Sequence, residues 1–238
     1  MIYKNKIKNV LIDLDGTLLP MDFDVFLKGY MQSVSNTAGD VCLTKEAFTK
    51  GLWAGIVKMM QNDGSSTNED AFWAAFSFVT GVSKQIADPI LNEYYNSKFG
   101  EVKEYCGFDK NAKILVEKLK NCGYSLILAT NPVFPKIGTF NRLKWAGVDF
   151  DSFTYVSTYE NSSYCKPNLK YYEEILAKFN LNASECLMIG NDVLDDMVAL
   201  NLGMQTFLLT DCLINKNNED LSKYEKGSFE DLFKALDI

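Results

Sequence analysis

Lys8-Asn9-Val10-Leu11-Ile12-Asp13-Leu14-Asp15-Gly16-Thr17-Leu18 is an apolar run that stops abruptly in two aspartates. Val10, Leu11 and Ile12 predict a strand buried on both faces, the pattern of a parallel sheet. Asp13 and Asp15 then fall at its carboxyl end, the edge at which open α/β sheets bind ligands. Residues two apart in extended chain share a face, so the two carboxylates can converge on one spot. Gly16 allows a tight turn close to a ligand. Mg²⁺ prefers hard oxygen donors and one or two carboxylates, which this pair supplies. Taken alone, the string also reads as an Asx-rich turn closing a strand.

C-terminal to this stretch the pattern changes from strand to helix. Phe23, Phe26, Leu27, Tyr30, Met31 and Val34 form an amphipathic stripe with Asp22 as N-cap. Thr44 opens a second helix carrying Phe48, Leu52, Ile56 and Met59 on one face. Thr67, with Asp70 three residues on, resembles a capping box ahead of Phe72, Trp73, Phe76 and Val79. Ser83 starts a further helical stretch, interrupted at Pro89 and continued through Leu91, Tyr94, Tyr95 and Phe99. Helical spacing makes these aromatics and methionines core residues. No strand is predicted between about Pro20 and Glu104, so residues 21–103 read as an all-helical insert.

The α/β alternation resumes at Phe108. Strands are predicted at Ser125–Ala129, Phe153–Ser157, Cys186–Ile189 and Gln205–Leu209, with helices between them. Ser228 with Asp231 caps a last helix. Strands alternating with helices imply a parallel sheet with right-handed crossovers. The expected fold is therefore α/β, a Rossmann-like doubly wound sheet formed by residues 1–20 and 104–238, with an inserted helical domain at 21–103.

Composition narrows the function. A net charge of −7 argues against nucleic acid or an anionic membrane as the main partner. No apolar run reaches membrane-spanning length, and the first residues lead straight into a strand. The six cysteines are scattered without a C-x-x-C pair and read as reduced thiols of a cytoplasmic protein. The chain contains no histidine. Ser-His-Asp and Cys-His catalysis, histidine-ligated metals and phosphohistidine are thereby excluded. Acid–base work near neutral pH falls to carboxylates, Lys, Tyr, Cys or metal-bound water.

Asp13-Leu14-Asp15-Gly16-Thr17 resembles the first motif of the haloacid-dehalogenase-like hydrolase superfamily. Three further motifs follow in that family's order, each after a predicted strand. Thr130, before Asn131, resembles the second. Lys166, before Pro167, resembles the third. Gly190-Asn191-Asp192-Val193-Leu194-Asp195-Asp196 resembles the acidic fourth, although the family usually places Asp directly after the Gly. Asp192 then fits the metal-ligand position and Asp196 the second acidic one, while Asp195 reads as a carboxylate favoured by a helix N-terminus. The helical insert resembles the family's helical cap.

The resemblance implies a Mg²⁺-dependent phosphatase acting on a small phosphorylated molecule. It makes Asp13 the nucleophile and Asp15 the general acid/base. Thr130, Asn131 and Lys166 become the phosphate-binding set. Metal ligation falls to Asp13, Asp192 and the backbone carbonyl of Asp15, with Asp196 in support. A sugar phosphomutase shares all four motifs and is the alternative enzyme. A non-catalytic regulatory or binding protein on the same fold is the other alternative, disfavoured because clustered carboxylates are costly to keep without a cation. A dehalogenase would not need Asp15. A phosphonate hydrolase would need a Schiff-base lysine in the insert, for which Lys50 and Lys58 qualify by position only.

Overall fold

The computed structural model describes residues 2–238. Six parallel strands form one sheet: β1 (Asn9–Ile12), β2 (Ser125–Leu128), β3 (Tyr155–Val156), β4 (Cys186–Gly190), β5 (Gln205–Leu209) and β6 (Lys226–Gly227). Their spatial order is β3-β2-β1-β4-β5-β6. Both faces of the sheet are buried, as the unbroken apolar strands require. Leu11, Ile127 and Met188 pack on one side against Tyr171, Tyr172 and Ile175 of α7 (Leu169–Phe179). Val10, Ile12, Leu126 and Ile189 join the larger core on the other side, with Leu115 and Leu119 of α5 (Lys110–Asn121) and Leu232 of α8 (Phe229–Leu236). The Ser228–Asp231 capping box ahead of α8 is formed in both directions.

The strand order reverses between β1 and β4, which pair directly in register from Asn9↔Cys186 to Ile12↔Ile189. The loops after these two strands therefore open into one crevice, the topological switch point. β2 lies on the other side of β1 and brings Thr130 to the same edge.

Between β1 and α5, residues 23–97 form α1 (Phe23–Val34), α2 (Lys45–Met60), α3 (Asn68–Thr80) and α4 (Lys84–Ser97), with no named strand. The two connections into this helical block run side by side. Met21 bridges Cys106, and Gly107 N donates to Pro20 O at 2.7 Å. Two sets of contacts hold the block against the sheet domain. Phe26, Tyr30, Tyr95 and Phe99 cluster around Phe134, and the Tyr30 and Tyr95 hydroxyls bond at 2.7 Å. On the opposite flank Asn68, fully buried, donates its side-chain amide to Pro132 O at 3.2 Å and to Tyr164 O at 3.4 Å, while its backbone N–H donates to Ser162 O at 2.8 Å.

Three local expectations are corrected. α4 continues through Pro89 rather than being interrupted there. The burial of Leu91, Tyr94 and Tyr95 outweighs the one ladder bond that proline lacks. The stretch after the fourth strand, Met197–Leu202, is 3-10 rather than α-helix, and the Asp196 side chain before it bonds Lys166 instead of capping it. β6 was not expected. It has two residues and no apolar pattern, and it pairs only with Leu208 and Leu209.

Candidate active site

Asp13, Asp15, Thr130, Asn131, Asp192 and Asp196 follow β1, β2 and β4 at the carboxyl edge of the sheet, and Lys166 reaches the same edge, whereas Lys50 and Lys58 lie on α2. Asp13 directly follows β1, its backbone N–H donating to Ile189 O at 2.9 Å across the β1–β4 seam. The chain then turns tightly, with Leu19 N and Thr17 N both donating to Leu14 O. Gly16 makes this possible, since its φ is +82° and a Cβ there would lie 2.3 Å from Asn191 Nδ2. Thr17 Oγ1 bonds Asp13 Oδ2 at 3.1 Å and Asn191 Oδ1 at 2.9 Å. Asn191 Nδ2 donates in turn to Cys212 O at 2.7 Å. Asn191 is thus a buried strut between the β1 and β4 loops, and the residue next to it, Asp192, is the partly exposed carboxylate that lines the cavity.

Lys166 is 1% exposed and reaches two carboxylates. Its Nζ donates to Asp13 Oδ1 at 2.9 Å and to Asp196 Oδ1 at 2.6 Å. Burial pushes the ammonium toward neutrality, but Asp13 and Asp196 prevail and hold it well above the usual lysine range. Asp196 is pushed up by burial, with Lys166 opposing. Its other oxygen accepts from Asp192 N at 3.0 Å. A Cβ on Gly190 would fall 2.1 Å from the same carboxylate, so glycine is required before Asn191 for close packing. Asp192 Oδ1 accepts from Leu194 N and Asp195 N, which fixes its carboxylate at the mouth of the β4 loop. Asp195 accepts from Asn131 Nδ2 at 3.3 Å, and burial raises it to about 6. Asp195 therefore binds across to the β2 loop rather than serving a helix N-terminus.

Sequence reasoning missed Arg142. It lies on α6 (Lys136–Trp145), has no exposed surface, and donates from Nη1 to Asp15 Oδ2. Its guanidinium stacks on Phe134, with Cζ 4.1 Å from the ring centroid. Burial outweighs this partner and raises the Asp15 carboxyl above its usual range. Two signals marked Arg142 in the sequence: it is the chain's single arginine, and helical spacing puts it on the inward face with Thr139, Gly138 and Trp145.

Three buried oxygens at this edge have no hydrogen-bond partner among the described residues: Asp15 Oδ1, Thr130 Oγ1 and Asn131 Oδ1. All three residues line a cavity with Asp13 and Asp192. Buried polar atoms are costly to leave unpaired, and these three lie together at the carboxyl edge of the sheet.

The match to the haloacid dehalogenase-like hydrolase family model spans residues 10–209, and the chain belongs to that family. A glyceraldehyde 3-phosphate phosphatase from Methanothermobacter thermautotrophicus is 25% identical over 91% of this chain and 92% of its own. One from Pyrococcus abyssi is 33% identical over 118 residues, covering 48% of this chain but only 45% of that protein. These relatives support a phosphoric monoester hydrolase. Among solved structures, a HAD phosphatase from Thermococcus onnurineus matches with a TM-score of 0.57 at 19% identity, covering 97% of this chain and 98% of that one. The HAD hydrolase YfnB from Bacillus subtilis, solved bound to magnesium, matches at 0.56 and 18% identity over 98% and 99%. At these identities the structural likeness shows the α/β fold.

Proposed function

We propose that this chain is a Mg²⁺-dependent phosphatase that hydrolyses a small-molecule phosphomonoester through an aspartyl-phosphate on Asp13. The carrying observation is the cluster of unpartnered buried oxygens on Asp15, Thr130 and Asn131 beside the Asp13 carboxylate. Asp13 Oδ attacks phosphorus as the bond to the leaving oxygen breaks. Asp15 Oδ2 is held by Arg142 and Oδ1 has no partner among the described residues, so the proton given to the leaving alkoxide sits on Oδ1. The same carboxylate then takes a proton from the water that attacks the aspartyl-phosphate, releasing inorganic phosphate and regenerating Asp13. The Thr130 hydroxyl, the backbone N–H of Asn131 and Lys166 stabilise charge on the phosphoryl oxygens. Residues 21–103 act as a cap on the core formed by 1–20 and 104–238, excluding water from the first step.

The donor set suits an open Mg²⁺ site. Among the described residues no three His, Cys, Asp or Glu side chains converge closely enough to enclose a metal, and the Asp15 carboxylate is turned to Arg142. Mg²⁺ is held by one or two carboxylates, waters and substrate phosphate rather than an all-protein cage. Asp13, Asp192 and the Asp15 backbone carbonyl would hold it, and bound there it would neutralise charge on the transferring phosphoryl group. No helix among the described residues is long and apolar enough to cross a membrane, and the six free cysteines fit a cytoplasmic location.

Activity on a generic phosphomonoester is expected to vanish in EDTA and return with Mg²⁺. Full turnover in EDTA would remove the metal from the reaction. Asp15→Asn retains an oxygen for Arg142 but can neither give nor take a proton. Such help is typically worth about 10²–10⁴ in rate. With p-nitrophenyl phosphate, whose leaving group needs little protonation, this variant should release a burst of phenolate and accumulate aspartyl-phosphate. Rapid-quench kinetics and intact mass would show it. Wild-type steady turnover of an alkyl phosphate by Asp15→Asn would refute the assignment.

A further inference from the structure

The cavity over Asp13 has a volume of about 400 Å³ and runs from the catalytic edge into the helical block. Its two ends differ in chemistry. At the sheet end lie the aspartates, Thr130 and Asn131. Beyond them the lining is mainly apolar and comes from four helices: Leu27 of α1, Leu52 and Ile56 of α2, Phe72 of α3 and Leu91 of α4, with Trp73 Nε1, Asn92 and Asp88 as its polar points. The Tyr30 and Tyr95 hydroxyls that approach this region are bonded to each other.

Charge sharpens the contrast. Among the described residues lining the cavity, the one cation is Lys216, on the β5-side loop rather than in the helical block. Lys166 and Arg142 lie behind the floor, held by Asp13, Asp196 and Asp15. The block contributes one charged lining residue, the carboxylate of Asp88. Its neighbour Lys84 is bonded to Glu69 at 2.6 Å and also lies close enough to act on Asp88 electrostatically, and the Asp88 carboxylate accepts from Asn92 Nδ2 at 3.0 Å.

From this we infer that the substrate is the phosphomonoester of a large, mainly apolar alcohol carrying no negative charge on its leaving group. This rests on the phosphatase reading and adds the substrate class. A carboxylate on the leaving group would meet no cation in the block and would face Asp88. A polyhydroxylated sugar has more hydroxyls than Asp88, Asn92 and Trp73 Nε1 can pair, and the rest would lie against leucine and phenylalanine at the cost of unpaired buried polar groups. A three-carbon alcohol would leave most of the cavity unfilled. Pockets of this volume with apolar walls bury most of the surface of a much larger ligand.

The test compares alkyl phosphates with similar leaving groups: ethyl, butyl, octyl and 2-(2-naphthyl)ethyl phosphate, together with 3-phosphoglycerate and glucose 6-phosphate. kcat/KM should rise about fourfold per added methylene until the cavity fills, the increment expected for burying a CH₂ group. Naphthylethyl phosphate should exceed ethyl phosphate by at least about 100-fold on the same basis. Ile56→Arg, at a half-buried position, should depress naphthylethyl phosphate and raise 3-phosphoglycerate. The second readout is calorimetric binding of 2-(2-naphthyl)ethanol to the Asp13→Asn protein, which needs no turnover, and Ile56→Arg should weaken it at least tenfold. Equal or better turnover of 3-phosphoglycerate or glucose 6-phosphate would overturn the substrate class while leaving the phosphatase reading intact. Alcohol binding with no turnover of any ester would overturn the phosphatase reading and keep the cavity assignment. Absence of alcohol binding, with ethyl and octyl esters equally good, would overturn the inference outright.

Discussion

Asp13→Asn should fold as the wild type does and hydrolyse no phosphomonoester above background. The amide is nearly the shape of the carboxylate, and Lys166 keeps its shorter bond to Asp196, so no buried cation is stranded. What disappears is the oxygen that attacks phosphorus. Removing a covalent nucleophile from an enzyme whose residues act as a unit can cost on the order of 10⁶ in kcat. Intact mass after quenching should show no phosphoryl adduct. Thermal unfolding should separate lost chemistry from lost structure. Residual turnover within about tenfold of wild type would place the nucleophile elsewhere, since that is far less than the loss expected on removing a nucleophile.

Arg142→Met should be the most destabilising single change at the site. The substitution keeps an unbranched apolar stem against Phe134 but leaves Asp15 buried without its cation. Breaking one partner of a buried ion pair typically costs about 3–5 kcal/mol. Adding Asp15→Asn to the same protein removes the stranded charge, so the double variant should recover a large part of the loss. Such non-additivity is the mark of a direct pair. Urea unfolding of the wild type, both single variants and the double variant closes the cycle. A single-variant loss below about 1 kcal/mol, or strict additivity, would show that the pair contributes little.

Strand β1 and its two terminal aspartates were legible because the apolar run is uninterrupted and ends in residues that cannot continue a buried strand. The Gln205–Leu209 strand was legible from its Phe207-Leu208-Leu209 run after Gly203, and its bounds match the expected ones. The two-residue β6 was not, since Lys226 and Gly227 carry no periodicity and are strand only by their neighbours. The bond from Lys166 to Asp196 joins residues 30 apart, and nothing local in either segment announces it. Asn191 is instructive. Its place after Gly190 left the acidic register open, and the structure gives the reason: its amide spans two loops by accepting from Thr17 and donating to Cys212 O. A carboxylate there could accept but not donate. Arg142 was overlooked because its partner Asp15 is 127 residues away, and a charged residue on a helix is ordinarily solvated even where spacing puts it on the inward face.

The contacts that hold the helical block to the sheet domain also set a tempo. Asn68 bonds the loops after β2 and β3, and the Tyr30–Tyr95–Phe134 cluster grips from the other flank. On the proposed reading, a bulky substrate reaches Asp13, and its alcohol leaves, only when part of that grip is released. Release moves a whole helical surface through solvent, whereas phosphoryl transfer moves a few atoms. For a substrate with a good leaving group the slow step should then be diffusive, and kcat should fall nearly in proportion to added sucrose viscosity, as for enzymes limited by lid opening. Asn68→Ala should loosen the grip and flatten that dependence, and a wild-type kcat indifferent to viscosity would show that the door is never the bottleneck.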